Sequence, residues 1–402
     1  MKTFFLSPWF PYPPHNGSKI RAFYLLRALA EAGHEVTLFS FVRPGEVADP
    51  DGLTGLCESW VTAPWQEFRP NSLRAILAYL SHKPRSLAST FSREIAWQIC
   101  HVAGKVRPDV VLASQTATAE YARSLPGPRI LEDLDEIPVM LEAALQPASL
   151  RSRIMRHLTW LKYRAYVRGL VQDFSCTTVV SEHDRNLLHA IAPPYTRVAM
   201  VPNGVDTERN RPEWVPKEGT LVYSGSLTYS ANYDAVAYFL SSIWPRVRAQ
   251  RPDTTLTITG STKGVALDRL PLDPQIRFTG YVADIRPVVG CAWACIVPLR
   301  VGGGTRLKIL EAMALGTPVV STTKGAQGLE VTPEEHLLIA DTAEDFAAQV
   351  IRLLGDPLLR HRLAENARRL VEEKYDWRQI GRHFVTVVEE TVRTAYDTSR
   401  SR

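Results

Sequence analysis

Short, continuous apolar runs alternate along this chain with longer stretches in which apolar residues recur every three or four positions. The first kind suits strands buried on both faces of a parallel sheet, and the second suits the helices that cover it. Thr3–Ser7 predicts the first strand. Ile20, Phe23, Leu26, Leu29 and Ala30 then line one side of a helix that ends at Gly33. Val36–Phe41, Asp109–Ala113, Ile130–Leu134, Thr177–Ser181 and Val198–Val201 continue the strand series. Proline, asparagine, glycine and charge cluster between Pro202 and Pro216, and the pattern breaks there. It restarts with strands at Leu221–Ser224, Thr255–Thr259, Ile276–Thr279, Ala294–Val297 and Val319–Thr322. Helices over Ala343–Leu354 and Leu359–Tyr375, and one from Trp377, close the chain. No short-period repeat is present. The expectation is an α/β fold of two parallel-sheet domains, each binding ligand outside the carboxyl ends of its strands.

The chain's 402 residues suit two cores. A hydrophobic share of 45% and a charged share of 22% are those of a folded protein. A net charge of +5, with no Lys/Arg block, gives no argument for nucleic acid. Cys57, Cys100, Cys176, Cys291 and Cys295 are scattered and form no C-x-x-C pair, so they read as reduced thiols. Cys291 and Cys295 flank Trp293 in an apolar run and read as core. Met1–Phe10 is too short for a secretory signal and reads as a buried strand. No apolar run approaches the roughly 20 residues that span a bilayer. The expected location is the cytoplasm, with peripheral contact on the inner face of the plasma membrane left open. Leu150–Leu170 raises that second point. It carries Arg151, Arg153, Arg156, Lys162, Arg164 and Arg168, no acid, and apolar Leu158, Trp160, Leu161, Tyr163 and Val167. A basic amphipathic helix can lie on anionic lipid, and it can equally be a solvated helix whose basic stems cover apolar surface.

The densest chemistry lies in Pro298–Ser321. Gly302, Gly303 and Gly304 follow a predicted strand and let backbone approach a ligand closely. A helix is expected from about Thr305, and its first turn offers N–H groups and a positive dipole end to phosphate. Arg306 and Lys308 add full charges. Glu311 follows Lys308 by one helical turn and could accept hydrogen bonds from ribose hydroxyls. The bland alternative is an ordinary strand–loop–helix with a solvated Lys–Glu pair.

The runs GTRLKILEAMALGTPVVS, VPNGVD at Val201–Asp206 and GHEVTLFS at Gly33–Ser40 resemble family 4 of the retaining glycosyltransferases. The resemblance covers nearly the whole chain and is tightest in the second half. It implies a GT-B architecture, two Rossmann-like domains facing across a cleft. Residues 1–210, completed by the helix 377–402, would bind the acceptor, and 211–376 would bind the nucleotide-sugar donor. It implies metal-independent transfer of a hexosyl unit from a nucleoside-diphosphate sugar to an acceptor hydroxyl with retention, with no cofactor. The acceptor would be a glycan, a lipid-linked molecule or a small molecule, in polysaccharide or glycoconjugate biosynthesis. A nucleotide-sugar epimerase of the same fold and a non-catalytic nucleotide-sugar-binding protein are the competing functions.

The resemblance is uneven at the site. Glu311 falls on the second glutamate of the family's E-x7-E element, which holds the ribose, while Gly303 stands where many members have the first. Contacts to the sugar would then come from backbone N–H groups of Gly303 and Gly304. The family's G-R-L…K element falls on Gly225, Ser226, Leu227 and Asn232, so both its cations are missing. Arg306 and Lys308 are read as their replacements on the diphosphate. Gly17 matches a glycine near the donor phosphates, and Tyr281 and Val282 match a loop whose backbone faces the base; a plain turn glycine and a loop that merely packs are the alternatives. Arg300 reads as surface. Glu132, Asp133, Asp135 and Glu136 form an acidic cluster at the end of the strand Ile130–Leu134, where many members have a histidine. Asp135, or Asp133 on the same face, is expected to act on the acceptor. The Asp133-Leu134-Asp135 spacing alone does not define a metal site, and a solvated acidic loop is the alternative.

Overall fold

The computed structural model describes residues 1–132, 134, 136–145, 149–303 and 306–400. The chain divides into two compact units, Met1–Pro202 with Arg378–Arg402, and Asn203–Trp377.

The first unit is built on a seven-stranded parallel sheet. Its strands are β1 (Lys2–Ser7), β2 (Glu35–Val42), β3 (Ser59–Pro64), β4 (Val110–Ser114), β5 (Arg129–Glu132), β6 (Cys176–Val179) and β7 (Val198–Met200). They lie in the order β3-β2-β1-β4-β5-β6-β7. The second unit repeats the design with β8 (Lys217–Ser224), β9 (Thr255–Thr259), β10 (Ile276–Gly280), β11 (Ala292–Val297), β12 (Val319–Ser321) and β13 (Leu338–Ile339), ordered β10-β9-β8-β11-β12-β13. These are the two Rossmann-like domains expected. In each, the winding reverses beside the first strand, between β1 and β4 and between β8 and β11. A doubly wound sheet opens a crevice at that reversal, beyond the strand carboxyl ends.

The central strands form where the apolar runs are continuous. All five residues of β4 and all six of β11 are buried, and each buried aliphatic side chain contributes about 1.5–3 kcal/mol. The two strands absent from the sequence reading lack such runs. β3 is an edge strand in which only Ala63 is fully buried, and β13 has two residues.

Three expectations are corrected. The helix Gly17–Glu31 buries Ala22, Leu25, Leu26 and Leu29, while Ile20, Phe23 and Ala30 are only half-buried. Its inner face also carries Lys19 and Arg21, each 2% exposed. Both are paired, Lys19 Nζ with Glu46 at 3.0 Å and Arg21 Nε with Glu132 at 2.6 Å, which is how cations tolerate burial. β5 ends at Glu132, and Leu134, expected to close the strand, lies outside it. Asp133 and Asp135 lie outside the described residues. Cys295 is core as expected, but Cys291 is exposed, because it follows the short helix Arg286–Gly290 and precedes β11.

The helix Leu150–Leu170 forms at the expected bounds and buries Tyr163, Tyr166, Val167 and Leu170 in its second half. The last helix, Trp377–Arg400, packs on the first unit through Ile380, Phe384, Val387 and Val388. A Cβ on its Gly381 would sit 2.7 Å from Ala28 Cβ, so glycine permits the close approach to helix Gly17–Glu31. Among the described residues no helix is long and apolar enough to cross a membrane.

Candidate functional site

The second unit gathers glycines at the carboxyl ends of four strands. Gly225 follows β8 with φ +154°, Gly260 follows β9 with φ +121°, and Gly280 ends β10 with φ +69°. A Cβ at Gly260 would lie 2.5 Å from the Gly225 carbonyl carbon, so the two loops touch backbone to backbone. Gly225 N–H donates to Thr259 O and Gly260 N–H to Gly280 O, both at 2.9 Å, tying the strand ends into one floor. Tyr281, just past that floor, is 68% exposed, and Val282 is half-buried.

Beyond β11 the chain turns through Leu299–Gly303. Gly302 has φ +103°, a region a side chain strongly disfavours, and a Cβ there would press on Ala231, Arg306 and Tyr229. Gly304 and Thr305 lie outside the described residues. The helix that follows is Leu307–Ala314, with Arg306 in the capping position, so it starts later than the expected Thr305.

Arg306 is 8% exposed and folds back on the loop. Its Nη1 donates to Gly303 O at 2.5 Å and its Nη2 to Gly302 O at 2.6 Å. The planar fork of guanidinium suits two neighbouring carbonyls that have left the sheet ladder. In this arrangement Arg306 braces the glycine loop and brings its charge close to Lys308, which lowers the lysine's pKa further. Arg300, read as plain surface, clamps the same loop from outside. Its Nη2 and Nε reach Asp234 at 2.6 and 3.1 Å, and its guanidinium carbon lies 4.4 Å from the ring centroid of Tyr238.

Lys308 projects from the first turn of the helix toward the end of β8. Its Nζ donates to Asn232 Oδ1 at 2.9 Å and to Tyr223 Oη at 3.0 Å, and lies 4.3 Å from the Tyr223 ring centroid. Glycine suits position 225, where φ is +154° and a Cβ would come within 2.6 Å of that Nζ and 2.9 Å of Asn232 Nδ2. The ammonium keeps only part of its surface in water, and this loss of solvation lowers its pKa to about 7. Glu311, also half-buried, is pushed the other way, up to about 7, again by desolvation, which the charge of Lys308 partly opposes. Among the described residues no hydrogen bond reaches its carboxylate. A loop of close backbone, a cation and a half-buried carboxylate thus lie together at the switch point of the second sheet.

In the first unit the acids divide. Glu132 is fully buried, held by Arg21 and by Ser114 Oγ at 2.9 Å. Glu136 accepts from Thr116 and from Tyr163 Oη at 3.0 Å, and desolvation raises its pKa. Both are engaged inside the unit. Gly17 is exposed in the first turn of its helix, capped by Asn16 through Lys19 N–H at 3.0 Å. Sequence reasoning missed Gln115, which takes left-handed φ +65° directly after β4. A non-glycine residue held there is costly and marks the switch point of the first sheet. It also missed the Tyr223–Asn232 seat of Lys308, which depends on two segments far apart in the chain. Among the described residues no three His, Cys, Asp or Glu side chains gather as a metal site would require.

Comparison with known proteins agrees with this arrangement. A model of "Glycosyltransferase Family 4" matches residues 15–209, and one of "Glycosyl transferases group 1" matches residues 218–356. A glycogen synthase of Mycobacterium tuberculosis is 25% identical over 92% of this chain and 90% of its own length. A GDP-mannose-dependent monoacylated alpha-(1-6)-phosphatidylinositol monomannoside mannosyltransferase of Corynebacterium glutamicum is 30% identical over 56% of this chain and 65% of its own. Among solved structures, Anabaena HepE in complex with UDP and glucose superposes with a TM-score of 0.70 at 14% identity, over 97% of this chain and 100% of that one, a likeness of fold. Two family models that between them take in both units, on a pair of sheets with the GT-B winding, make this chain a member of the family 4, group 1 glycosyltransferases.

Proposed function

We propose that this glycosyltransferase takes a hexosyl unit from a nucleoside-diphosphate sugar and transfers it to an acceptor hydroxyl with retention of configuration, without a metal. The second unit, Asn203–Trp377, is the donor domain and the first is the acceptor domain. The observation that carries the reading is the trio at the β8–β11 switch point: the glycine loop, the Lys308 ammonium and the half-buried Glu311 carboxylate, whose pKa desolvation raises. Diphosphate oxygens fit beside Lys308 and the first-turn N–H groups of its helix. Ribose hydroxyls fit Glu311. Gly302 and Gly303 fit the sugar side, Gly225, Tyr281 and Val282 fit the nucleotide side, and Gly304 and Thr305 are retained as candidates for donor binding. Gly17 is retained as a candidate for the phosphates from the first unit.

In the reaction the bond from the anomeric carbon to the diphosphate oxygen breaks, and a bond to the acceptor oxygen forms on the same face. Negative charge grows on the leaving diphosphate, and Lys308, supported by Arg306, stabilises it electrostatically. The acceptor proton passes to a carboxylate of the first unit, Asp135 or Asp133. The names of the relatives support an activated hexose as donor: one depends on GDP-mannose and HepE was solved with UDP and glucose.

A thermal-shift screen of UDP-, GDP-, ADP- and dTDP-sugars tests the reading, because a ligand at 100 times its Kd raises stability by about 2.7 kcal/mol. The productive donor should then support transfer in EDTA, and Glu311→Ala should abolish it. Activity of Glu311→Ala within about threefold of wild type, ~0.65 kcal/mol in the transition state, would remove Glu311 from the site. A strict need for added manganese or magnesium would overturn the metal-free step. Epimerised donor released without acceptor would indicate the epimerase instead.

A further inference from the structure

Between Ser72 and Ser81 the first unit carries a helix, Leu73–Leu77, and a tight turn, Ala78–Leu80, whose polarity is inverted. The residues facing inward are Ala75 and Ala78, 0% and 6% exposed. The large ones face out: Leu73, Ile76, Leu77 and Leu80 are 71%, 52%, 57% and 89% exposed. A short element that hides alanines and shows leucines gains little from the core beneath it. Contiguous exposed apolar surface of this kind marks an interaction site.

The helix Leu150–Leu170 extends that surface. Leu150, Ile154, Leu158 and Leu161 recur every three or four residues and so share one face, and all four are exposed. The residues it buries, Tyr163, Tyr166 and Val167, belong to a different face. Lys162 joins the two elements, with Nζ donating to Tyr79 O at 2.6 Å and to Ser81 O at 3.0 Å. Arg85 braces the short helix from its other end through Ala75 O and Pro70 O.

Charge says what covers the surface. Residues 68–93 carry five cations and no acid, and residues 143–172 carry six and no acid, in a chain whose net charge is only +5. The rest of the protein is therefore net acidic, and the positive charge is concentrated around the exposed leucines. A second copy of this chain would set cations against cations. Nucleic acid would leave the leucines in water. An anionic lipid surface takes both, with leucines entering the acyl boundary and arginines meeting the headgroups. We propose that Leu73–Leu80 and the exposed face of Leu150–Leu170 form one docking surface for an anionic bilayer. This does not depend on which donor the second unit binds.

The test is sedimentation of the full chain with phosphatidylcholine vesicles, with and without phosphatidylglycerol. Wild type should bind the anionic vesicles and lose them at high salt. Leu77→Ser/Leu80→Ser and Ile154→Ser/Leu158→Ser should each weaken binding roughly tenfold or more, as expected for exposed leucines that are buried on docking. Arg153→Glu/Arg164→Glu should weaken it by about fivefold or more per charge. All three should keep the wild-type unfolding temperature, since the changed side chains are exposed. Equal binding to neutral and anionic vesicles overturns the proposal, as does no binding, or wild-type binding by either leucine pair. A dimer that light scattering shows to fall apart in the leucine variants, with vesicle binding unchanged, assigns the surface to self-association.

Discussion

Lys308 Nζ sits 2.9 Å from Asn232 Oδ1, although 76 residues separate them in the chain. Asn232 stands at the place where family resemblance puts a phosphate-gripping lysine. The charge missing from that segment therefore arrives from the helix after the glycine loop and is seated by Asn232 and Tyr223. Substitution of Lys308 by Met should weaken nucleoside diphosphate binding by about 10-fold to 100-fold, the range of a charged hydrogen bond. Binding of the bare nucleoside should barely change. Calorimetry with the two ligands decides, and equal losses would mean that Lys308 does not meet the diphosphate.

Lys308 and Glu311 both titrate near pH 7, from opposite sides. Lys308 falls from 10.5 to about 7, so the unfolded chain holds the extra proton between those values and stability rises with pH across that window. Glu311 rises from 4.5 to about 7, so the folded chain holds the extra proton there and stability falls as pH rises from 4.5 to 7. Together they place a minimum in their stability contribution near neutrality. A diphosphate should raise the lysine's pKa and take up a proton, while ribose hydroxyls donating to Glu311 should release one. At pH 7, calorimetry in buffers of different ionisation enthalpy should find net uptake in Glu311→Gln and net release in Lys308→Met. The same sign in both variants would refute the division of roles.

Arg306 spends its guanidinium on Gly302 O and Gly303 O. Its loss should therefore show first in the unliganded protein. Arg306→Ala should lower stability by about 1 kcal/mol or more, from two half-buried carbonyls that lose their partner, and Arg306→Lys should recover little because ammonium lacks the fork. Lys308→Met, by removing a poorly solvated charge, should leave unliganded stability equal or higher. If Arg306→Ala melts like wild type yet loses diphosphate affinity, the residue faces the ligand and not the loop.

Glu132 and Arg21 form a buried pair beside Ser114. Removing one partner strands the other in a low-dielectric setting, at a cost of about 3–5 kcal/mol. Glu132→Ala should destabilise the first unit by that amount in denaturant unfolding, while donor affinity stays unchanged. Wild-type stability with a lower turnover number would move Glu132 into the reaction.

Local pattern made much of this protein legible. The apolar runs of β1, β4 and β11 are long enough to require burial on both faces. The order glycine loop, cation, carboxylate within one strand–loop–helix survives because those residues are neighbours in the chain. Two strands were illegible because an edge strand and a two-residue strand carry no burial signal. Glu132 could not be told from its acidic neighbours, since only the packing of Arg21 from another helix makes it core. Tertiary structure alone decided that Arg306 turns to the loop while Lys308 turns to Asn232. Arg306 caps the helix and Lys308 lies two residues on, so they point in different directions, and what each meets depends on segments that the sheet brings beside them. It also decided that Leu73, Ile76, Leu77 and Leu80 lie on the outside, which no reading of apolar periodicity would place there.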